Sequence, residues 1–338
     1  MSRIKSVTAI LAGVVLAGGL NAAAAADSYN LTLSGASPGG LWSRIGGGVD
    51  AAIAKAYPGS TVTYQTSKGG LANIPLVSAG SVPMGIATDG DLAAAKAGLP
   101  PFPSKVENIR ILFRAYTAGA RFQLTHLMLN PDFAAKHGVK TFQDIIDKKV
   151  PVRVAINRRG NMDSDVSRAL MEEMGASIED IEGWGGQVVY AASKEIVSLM
   201  SDRRVDLANF GVAFNHPRIR EIAKAVTPLL LDVPEAVAAK VAAKYGGTVC
   251  KVKPGEYKWA SNGANSVCVG ALIIASSDMD DATAYAITKA LVEQIGEFKD
   301  KSHRLIKKTA TPQSLATGSV FPFHPGSEKY LREAGLLK

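Results

Sequence analysis

The sequence has few of the residues that bind metals or carry redox chemistry. Among its 338 residues there are only two cysteines, Cys250 and Cys268, and five histidines, and neither set shows the spacing of a metal-binding motif such as C-x-x-C. We therefore predict no metal site and no cofactor. In an exported protein the two cysteines are expected to form a disulfide, which stabilises a loop of this length by roughly 3 kcal/mol. Two buried free thiols are the alternative.

Long apolar runs are also missing after the N-terminus, although about 20 consecutive apolar residues are needed to span a membrane. The N-terminus itself has Arg3 and Lys5, then an apolar run over residues 7–20 and a small-residue tract over residues 22–26. This order is typical of a secretory signal, which we expect to be cleaved near Ala26. A transmembrane anchor is the alternative. The mature chain is expected to be exported and soluble.

Clustered charge of either sign is absent as well. The net charge is +8, and the Lys and Arg residues are scattered along the chain instead of forming a basic tract. Nucleic-acid binding is therefore not expected, because it requires a concentrated basic surface. A mild general attraction for anions is expected instead.

Short apolar runs alternate with segments of helical periodicity along most of the chain. In the first helical segment Leu41, Ile45, Val49 and Ile53 fall on one face. Such alternation predicts an α/β fold whose mostly parallel sheets are flanked by helices. The predicted strands are residues 31–34, 61–65, 84–87, 111–116, 122–129, 152–156, 188–190, 205–210 and 269–275, and the other predicted helices are residues 71–77, 164–174, 194–200 and 281–298.

The β-α-β-α-β rhythm occurs twice, which predicts two lobes. After the signal at residues 1–26, we expect lobe I to comprise residues 27–123 plus 273–338 and lobe II to comprise residues 124–272. The last predicted strand would be the return crossing between the lobes. The long helix that follows it would pack back on lobe I.

Three turns carry the residue types that a small ligand needs. In sheets of this kind ligands bind where turns leave the carboxyl ends of strands and helix N-termini offer free N–H groups. The turns are residues 34–42, 66–73 and 157–163. Each also has a simpler explanation, because glycine often only supplies a positive φ, Trp42 could belong to the core and adjacent arginines are usually solvated. Their recurrence at one topological position favours a binding site.

Residues 35–39 match the G-x-S-x-G pattern of a hydrolase nucleophile elbow. The oxyanion hole of such an elbow needs the backbone N–H of the residue after the serine, and Pro38 has none. We therefore predict that the protein is not an enzyme. A hydrolase with His216 or His324 as its base is the disfavoured alternative.

Four segments follow the pattern of one protein family. Residues 39–46 are similar to its G-G-x-Y/W-x-x-x-G, residues 66–73 to its T-x-G-G-S-x-x-N, residues 86–89 to the strand end that follows, and residues 323–335 to its C-terminal H-P-G-A-x-x-Y-x-x-E-x-G. Together they resemble the TAXI class of solute-binding proteins, which serve TRAP (tripartite ATP-independent periplasmic) transporters. These segments extend over nearly the whole mature chain. The resemblance implies a type II-like periplasmic binding protein, whose two α/β lobes are joined by hinge strands.

The chain departs from the family pattern in two turns. Gly70 stands where the family often has serine, so a hydroxyl donor is missing, and Arg158 and Arg159 stand in the turn where the family has G-S-G-T. A guanidinium holds a carboxylate through two parallel hydrogen bonds. The two arginines therefore indicate a ligand with more negative charge or with a second acidic group. Asn161 can cap the following helix or donate a hydrogen bond.

A further segment, residues 206–217, resembles the strand end of lobe II that faces the ligand in this family. It indicates Phe210 and Asn215 as contacts, whereas His216 could be a helix cap or a packing residue. The predicted ligand-binding residues are Gly39, Gly40, Trp42, Lys68, Gly70, Asn73, Asp89, Arg158, Arg159, Asn161, Asp163, Phe210 and Asn215.

The resemblance implies a function without chemistry. The two lobes would close on a small organic anion, such as a dicarboxylate, an oxo-acid or an acidic amino acid, and deliver it in the periplasm to the membrane subunits of a TRAP transporter. A monomer is expected. The alternatives are a periplasmic sensor that presents its closed form to a receptor, and the binding protein of an ATP-driven importer.

Overall fold

The computed structural model describes residues 28–338. The predicted signal at residues 1–26 lies outside these residues, as does Asp27, the predicted first residue of lobe I. No helix within the described part of the chain combines the length and apolar character needed to cross a membrane.

Strands and helices alternate throughout the described chain. The strands are β1 (Asn30–Ser34), β2 (Thr61–Gln65), β3 (Met84–Thr88), β4 (Ile109–Tyr116), β5 (Leu124–Leu129), β6 (Arg153–Asn157), β7 (Gln187–Ala191), β8 (Leu207–Val212), β9 (Leu229–Leu230), β10 (Thr248–Val252), β11 (Ala264–Cys268) and β12 (Ala271–Ser276). The helices are α1 (Leu41–Ala56), α2 (Gly70–Ser78), α3 (Asp89–Ala97), α4 (Pro131–His137), α5 (Phe142–Asp147), α6 (Met162–Glu173), α7 (Ile178–Gly183), α8 (Ser193–Ser201), α9 (Pro217–Val226), α10 (Glu235–Lys244), α11 (Asp281–Glu293), α12 (Ile295–Lys301), α13 (Arg304–Thr309), α14 (Pro312–Leu315) and α15 (Pro325–Glu333).

Within residues 28–338 these strands form two separate sheets. The first has the order β2-β1-β3-β12-β4, and only β12 runs against its neighbours. The second has the order β10-β11-β5-β8-β6-β7, with β9 paired to β5. In the second sheet β5 and β10 run against the other strands, so it is more mixed than the alternating sequence pattern predicts. The predicted architecture, two helix-flanked α/β lobes, is confirmed.

We call the first sheet with its helices lobe I and the second sheet with its helices lobe II. The chain crosses between them twice, through residues 117–123 and through Val269 and Gly270. The crossings lie side by side, because the Val269 N–H donates a hydrogen bond to the carbonyl of Gln123 at 3.1 Å. The return strand β12 begins at Ala271, two residues before the predicted start of the second part of lobe I.

Each lobe has its own apolar core. The long helix predicted at residues 281–298 is in fact two helices, α11 and α12, because Gln294 between them leaves the helical backbone conformation. Both pack on lobe I as expected, and Phe298 contacts Phe113 of β4 edge to face, with ring centroids 6.4 Å apart. Burial of such a side chain stabilises the fold by roughly 1.5–3 kcal/mol.

The predicted disulfide is present. It joins Cys250 of β10 to Cys268 of β11, whose Cα atoms are 5.7 Å apart, and both residues are buried in the core of lobe II. It therefore links the edge strand β10 to β11, which pairs with β5, the strand that receives the chain from the first crossing.

Candidate functional site

Helix N-termini from both lobes meet at one cavity of about 100 Å³ between the sheets. The helices that begin there are α1, α2 and α3 of lobe I and α6, α8 and α9 of lobe II. The lining residues at these helix starts are Gly40, Leu41, Trp42, Gly70, Thr88, Asn161, Met162, Asp163, Ser193, His216 and Arg218. The others come from the turn after β1, the end of β4, the first crossing and the end of β8, and are Ala36, Ser37, Tyr116, Phe122, Gln123, Gly211, Val212 and Ala213.

Three of these helices begin without a side-chain cap. The N-cap residues of α1, α2 and α8 are Gly40, Gly69 and Ala192, and none of them accepts a hydrogen bond through its side chain. The first N–H groups of a helix have no partner inside the helix, and the helix dipole adds a partial positive charge there. The cavity is therefore lined by uncapped donors, an arrangement that binds anions.

The other two helix starts in lobe II are capped. Asn161 Oδ1 accepts the Asp163 N–H at 2.9 Å, and His216 Nδ1 accepts the Arg218 N–H at 3.2 Å. His216 is thus a helix cap, which is one of the two structural roles considered for it from the sequence. Burial, helped by the charge of Arg218, lowers the pKa of His216 to about 4, so the ring is neutral at pH 7 with its proton on Nε2.

The positive side chain of the cavity is Arg218, in the first turn of α9. Its guanidinium is partly buried and forms neither an ion pair nor a side-chain hydrogen bond with any residue that the structure describes. Burial lowers the pKa of this group, and the negative charge of Glu221 opposes that shift. Arg218 is consequently a cation at the cavity wall that lacks a counter-ion.

The acidic side chain of the cavity is Asp163, in the first turn of α6. It is 8% exposed, and its Oδ1 accepts a hydrogen bond from Gln123 Nε2 at 2.6 Å. Burial raises the pKa of Asp163 to about 7; the Gln123 hydrogen bond opposes this and the charge of Asp91 adds to it. Gly211 of β8 makes room for the carboxyl group, because a Cβ there would lie 2.0 Å from Asp163 Oδ1.

A chain of hydrogen bonds connects this carboxyl group to lobe I. Trp42 Nε1 of α1 donates to the Tyr116 hydroxyl at 2.8 Å, which donates to Gln123 Oε1 at 2.8 Å. Gln123, at the end of the first crossing, then donates to Asp163. The chain therefore runs from α1 through the crossing to α6. It fixes the position of each side chain, because each of the three hydrogen bonds joins one defined donor to one defined acceptor.

Five of the predicted ligand-binding residues line the cavity, namely Gly40, Trp42, Gly70, Asn161 and Asp163. Gly39 lies just before the α1 N-cap with a φ of 68°, and its N–H donates to Ser43 Oγ. Lys68 is exposed in the turn before α2. Neither Gly39 nor Lys68 belongs to the lining.

Asn73 holds the ends of three strands together instead of lining the cavity. Its Oδ1 accepts hydrogen bonds from Ser34 and Ser67, and its Nδ2 donates to the carbonyls of Gly35 and Ile86. All the hydrogen-bonding capacity of the amide is thereby used within lobe I. Asn73 positions the turns that carry the site, and no donor or acceptor remains for a ligand.

The Asp89 carboxylate is also bound by other residues of the chain. Arg114 holds it with two hydrogen bonds of 2.7 and 2.8 Å, and Ser319 Oγ donates to its Oδ1 at 2.6 Å. The carboxylate therefore joins the start of α3 to β4 and to the C-terminal segment, outside the cavity lining.

The two arginines predicted to hold a second acidic group lie outside the cavity lining. Arg158 and Arg159 are both exposed, and the guanidinium of Arg159 stacks 3.9 Å above the ring of Tyr190. They belong to the loop before the N-cap residue Asn161, and their side chains are exposed to solvent. The cationic residue that lines the cavity is Arg218 instead.

Phe210 and Asn215, the two contacts suggested at the end of β8, face elsewhere. Phe210 is fully buried in the core of lobe II. Asn215 adopts a φ of 54°, its N–H donates to the Tyr257 hydroxyl, and its carbonyl accepts from Arg220. Strand alternation explains the result for Phe210, since its neighbour Gly211 lies on the face that borders the cavity.

The sequence interpretation missed Tyr116, Gln123, Gly211 and Arg218. One signal for Arg218 was present, because proline is common at the first position of a helix and Pro217 follows a possible cap, His216. A helix starting there would have placed Arg218 in its first turn. The other three residues have no comparable local signal.

Several solved structures have a similar fold. The periplasmic binding protein BugD is 11% identical and matches 91% of this chain and 98% of its own, with a TM-score of 0.54. MatC from Rhodopseudomonas palustris, solved with bound malate, is 13% identical over 81% of this chain and 87% of its own, with a TM-score of 0.51. A binding protein of an ABC phosphonate transporter from Pseudomonas aeruginosa is 10% identical over 81% of this chain and 78% of its own, with a TM-score of 0.50.

The sequence itself matches one protein family over almost its entire length. The model of the NMT1-like family aligns with residues 33–335. This range contains every strand and helix start that lines the cavity. The chain therefore belongs to the NMT1-like family.

Proposed function

We propose that the protein is a periplasmic solute-binding subunit that captures a small organic anion between its lobes and delivers it to a membrane transporter. The observation that carries this proposal is the composition of one cavity, which combines three uncapped helix starts with the unpaired guanidinium of Arg218. Binding involves no covalent step.

The missing counter-ion of Arg218 supports an anionic ligand. A charge that is partly withdrawn from water loses hydration, and this loss is costly unless an opposite charge or strong acceptors replace it. Arg218 forms no ion pair with a carboxylate among residues 28–338. A carboxylate or phosphonate in the cavity supplies both the opposite charge and the acceptors for the helix N–H groups.

Contacts between the lobes around the cavity support capture by closure. A Cβ at Gly69 of lobe I would lie 3.7 Å from the Asn161 amide of lobe II, and one at Gly90 would lie 2.9 Å from Met162. The lobes therefore meet beside the cavity, and the ligand touches both. Such a ligand favours the closed arrangement through its greater affinity for it.

The ligands of structural neighbours are consistent with this proposal. MatC was solved with malate, and the Pseudomonas protein serves a phosphonate transporter. Both compounds are small anions. We carry over to this chain only the ligand class, since the identities are too low to transfer individual contacts.

The finer part of the proposal is a TAXI-class subunit of a TRAP transporter, with a dicarboxylate, oxo-acid or acidic amino acid as ligand. It rests on the four sequence segments that resemble this class. One of them starts α15, where Gly326 packs so closely on the Asp281 carbonyl that a Cβ would lie 1.9 Å from it. Uptake by cells that express the protein with its membrane subunits tests the transporter type. Loss of uptake on collapsing the ion gradient supports TRAP, and loss only on ATP depletion supports an ABC importer.

Hydrolase activity is the less supported function, although Ser37 and His216 both line the cavity. His216 uses Nδ1 as a helix cap and is neutral with Nε2 protonated, so it is not placed as a base. Pro38 provides no N–H for an oxyanion.

The ligand class is tested by thermal unfolding of residues 27–338, refolded to remove copurified ligand, in the presence of organic acids, phosphonates, amino acids and neutral sugars. A ligand at a hundredfold excess over its Kd stabilises the folded state by about 2.7 kcal/mol. We expect upward shifts with anions only. Shifts confined to neutral sugars would contradict the proposal.

A further inference from the structure

One side chain of the cavity does not suit an anion. Asp163 lies among uncapped helix starts and Arg218, and it is more than nine-tenths buried. Above pH 7 the carboxyl group of Asp163 is mostly ionised and has only acceptors, so it repels any part of a ligand that also has only acceptors. A site built solely to hold anions has no use for it.

Half of this carboxyl group is left without a partner. Its Oδ1 accepts from Gln123, whereas its Oδ2 makes no hydrogen bond to any residue from 28 to 338 and is not sealed from the cavity. Buried carboxylate oxygens are generally satisfied by donors. The open oxygen therefore calls for a donor from whatever occupies the cavity.

The carboxyl group is also held firmly in place. Gln123 is fixed by the Tyr116 hydroxyl, which Trp42 fixes in turn. On the other side Gly211 leaves no space for a side chain, since a Cβ would lie within 2.0 Å of Asp163 Oδ1. A group fixed by its surroundings discriminates between ligands more sharply than a mobile one.

We propose that Asp163 selects ligands that carry a hydrogen-bond donor, a hydroxyl or an ammonium group, on the carbon next to the anionic group. The inference rests on the proposed function, because Arg218 and the helix N–H groups hold the anionic group. The ligand is then an α-hydroxy or α-amino acid, or the corresponding phosphonate. An oxo-acid or an unsubstituted acid places only acceptors against Asp163 and binds more weakly.

The experiment is calorimetric titration of the wild-type protein at pH 8.5, where Asp163 is ionised, with three matched series of compounds. The series are succinate, malate and aspartate; propionate, lactate and alanine; and methyl-, hydroxymethyl- and aminomethylphosphonate. Within any series that binds, we expect a donor-bearing member to bind at least tenfold more tightly than the parent acid, because hydrogen bonds to charged groups have this strength. Equal or tighter binding of the parent acids overturns the inference.

The variant Asp163→Asn tests the residue itself. Its amide oxygen can still accept from Gln123, but the other atom becomes a donor, so the preference for donor-bearing ligands should fall to near unity or reverse. The matched control is Asp165→Asn on the same helix, whose partner is Arg168 and which lies outside the cavity lining. We expect the control to keep the wild-type ratios. An unchanged ratio in Asp163→Asn overturns the inference, and the wild-type ranking decides alone if that variant does not fold.

The titrations also distinguish a failure of this inference from a failure of the proposed function. If none of the nine compounds binds, both the anion-binding function and this inference are wrong. If the parent acids bind tightly and binding is lost in Arg218→Ala, the function stands and the inference alone is overturned.

Discussion

The starts of α6 and α9 are built alike and carry opposite charges. In each, the N-cap side chain accepts a hydrogen bond from the N–H of the second helical residue: Asn161 is the acceptor in α6 and His216 is the acceptor in α9. In each, the side chain of that second residue lines the cavity, as Asp163 and as Arg218. Trp42 occupies the same position of α1 in lobe I. The second helical position thus supplies an acidic side chain in α6, a cationic side chain in α9 and an aromatic side chain in α1.

The loop before α6 gives the contrasting case. Arg158 and Arg159 precede the N-cap residue and are exposed, although they are only a few residues from Asp163. In a helix each Cα–Cβ bond tilts toward the N-terminus, so first-turn side chains extend past the helix start. Here the helix starts face the cavity. The position of a charge relative to the N-cap therefore decides whether it belongs to the site.

The largest effect is expected from removing the positive member of the pair. In Arg218→Ala the ligand anion loses a partly buried charge partner, and such losses cost about 2–5 kcal/mol. We expect affinity for the best organic anion to fall by about 30-fold or more in calorimetric titration. The control is Arg158→Ala, which should bind within about twofold of wild type. A greater loss of affinity in Arg158→Ala than in Arg218→Ala would mean that the loop before α6 supplies the cationic contact.

The next effect concerns the space that Gly211 leaves for Asp163. In Gly211→Ala the added methyl group would lie 2.0 Å from Asp163 Oδ1 and must displace the carboxyl group from Gln123. We expect the free energy of unfolding to fall by about 1–3 kcal/mol in urea denaturation. The control Gly119→Ala adds a methyl group with no atom within 4 Å and should change stability by less than about 0.5 kcal/mol. Equal effects at both sites would mean that Asp163 is not packed against β8.

The last effect, small within any one pH unit, is a change in the pH dependence of stability. Burial raises the pKa of Asp163 to about 7, whereas an unfolded aspartate titrates near 3.9. Between about pH 4 and pH 7 the folded protein therefore binds more protons, and the stability of the ligand-free protein falls as the pH rises, by at most about 1.4 kcal/mol per pH unit for this group. Asp163→Asn should flatten this slope without abolishing it, because burial also raises the pKa of Asp91 to about 7. Identical slopes from urea denaturation across this range would contradict the placement of Asp163.

Periodicity predicts the lobes well because apolar spacing reports directly on which elements pack against a sheet. The predicted strand at residues 61–65 coincides with β2, and the helix bearing Ile45 and Val49 is α1, with both side chains fully buried. The turns that carry Gly40, Gly70 and Asn161 were also found, since strand-to-helix turns have a recognisable composition. These features depend on local sequence alone.

Side-chain direction at the site depends on finer detail. Helix α6 was predicted to begin at residue 164 and begins at Met162, and α9 was not predicted at all. Arg158 and Arg159 were chosen because they stand in the turn where the resembled family has G-S-G-T, and Arg218 was missed because no helix was predicted after Pro217. Tyr116 and Gln123 could not be found this way, because their roles arise from the packing of a crossing segment between two lobes that are distant in sequence.

The most direct test of the central claim is a crystal structure of the protein with the organic anion that binds it most tightly. We expect the anionic oxygens within about 3 Å of the Arg218 guanidinium and of backbone N–H groups at the starts of α1, α2 or α8. A hydroxyl or ammonium group of the ligand should donate to Asp163 Oδ2. An anion held by Arg158 and Arg159 instead, with the cavity between the lobes unoccupied, would contradict the account.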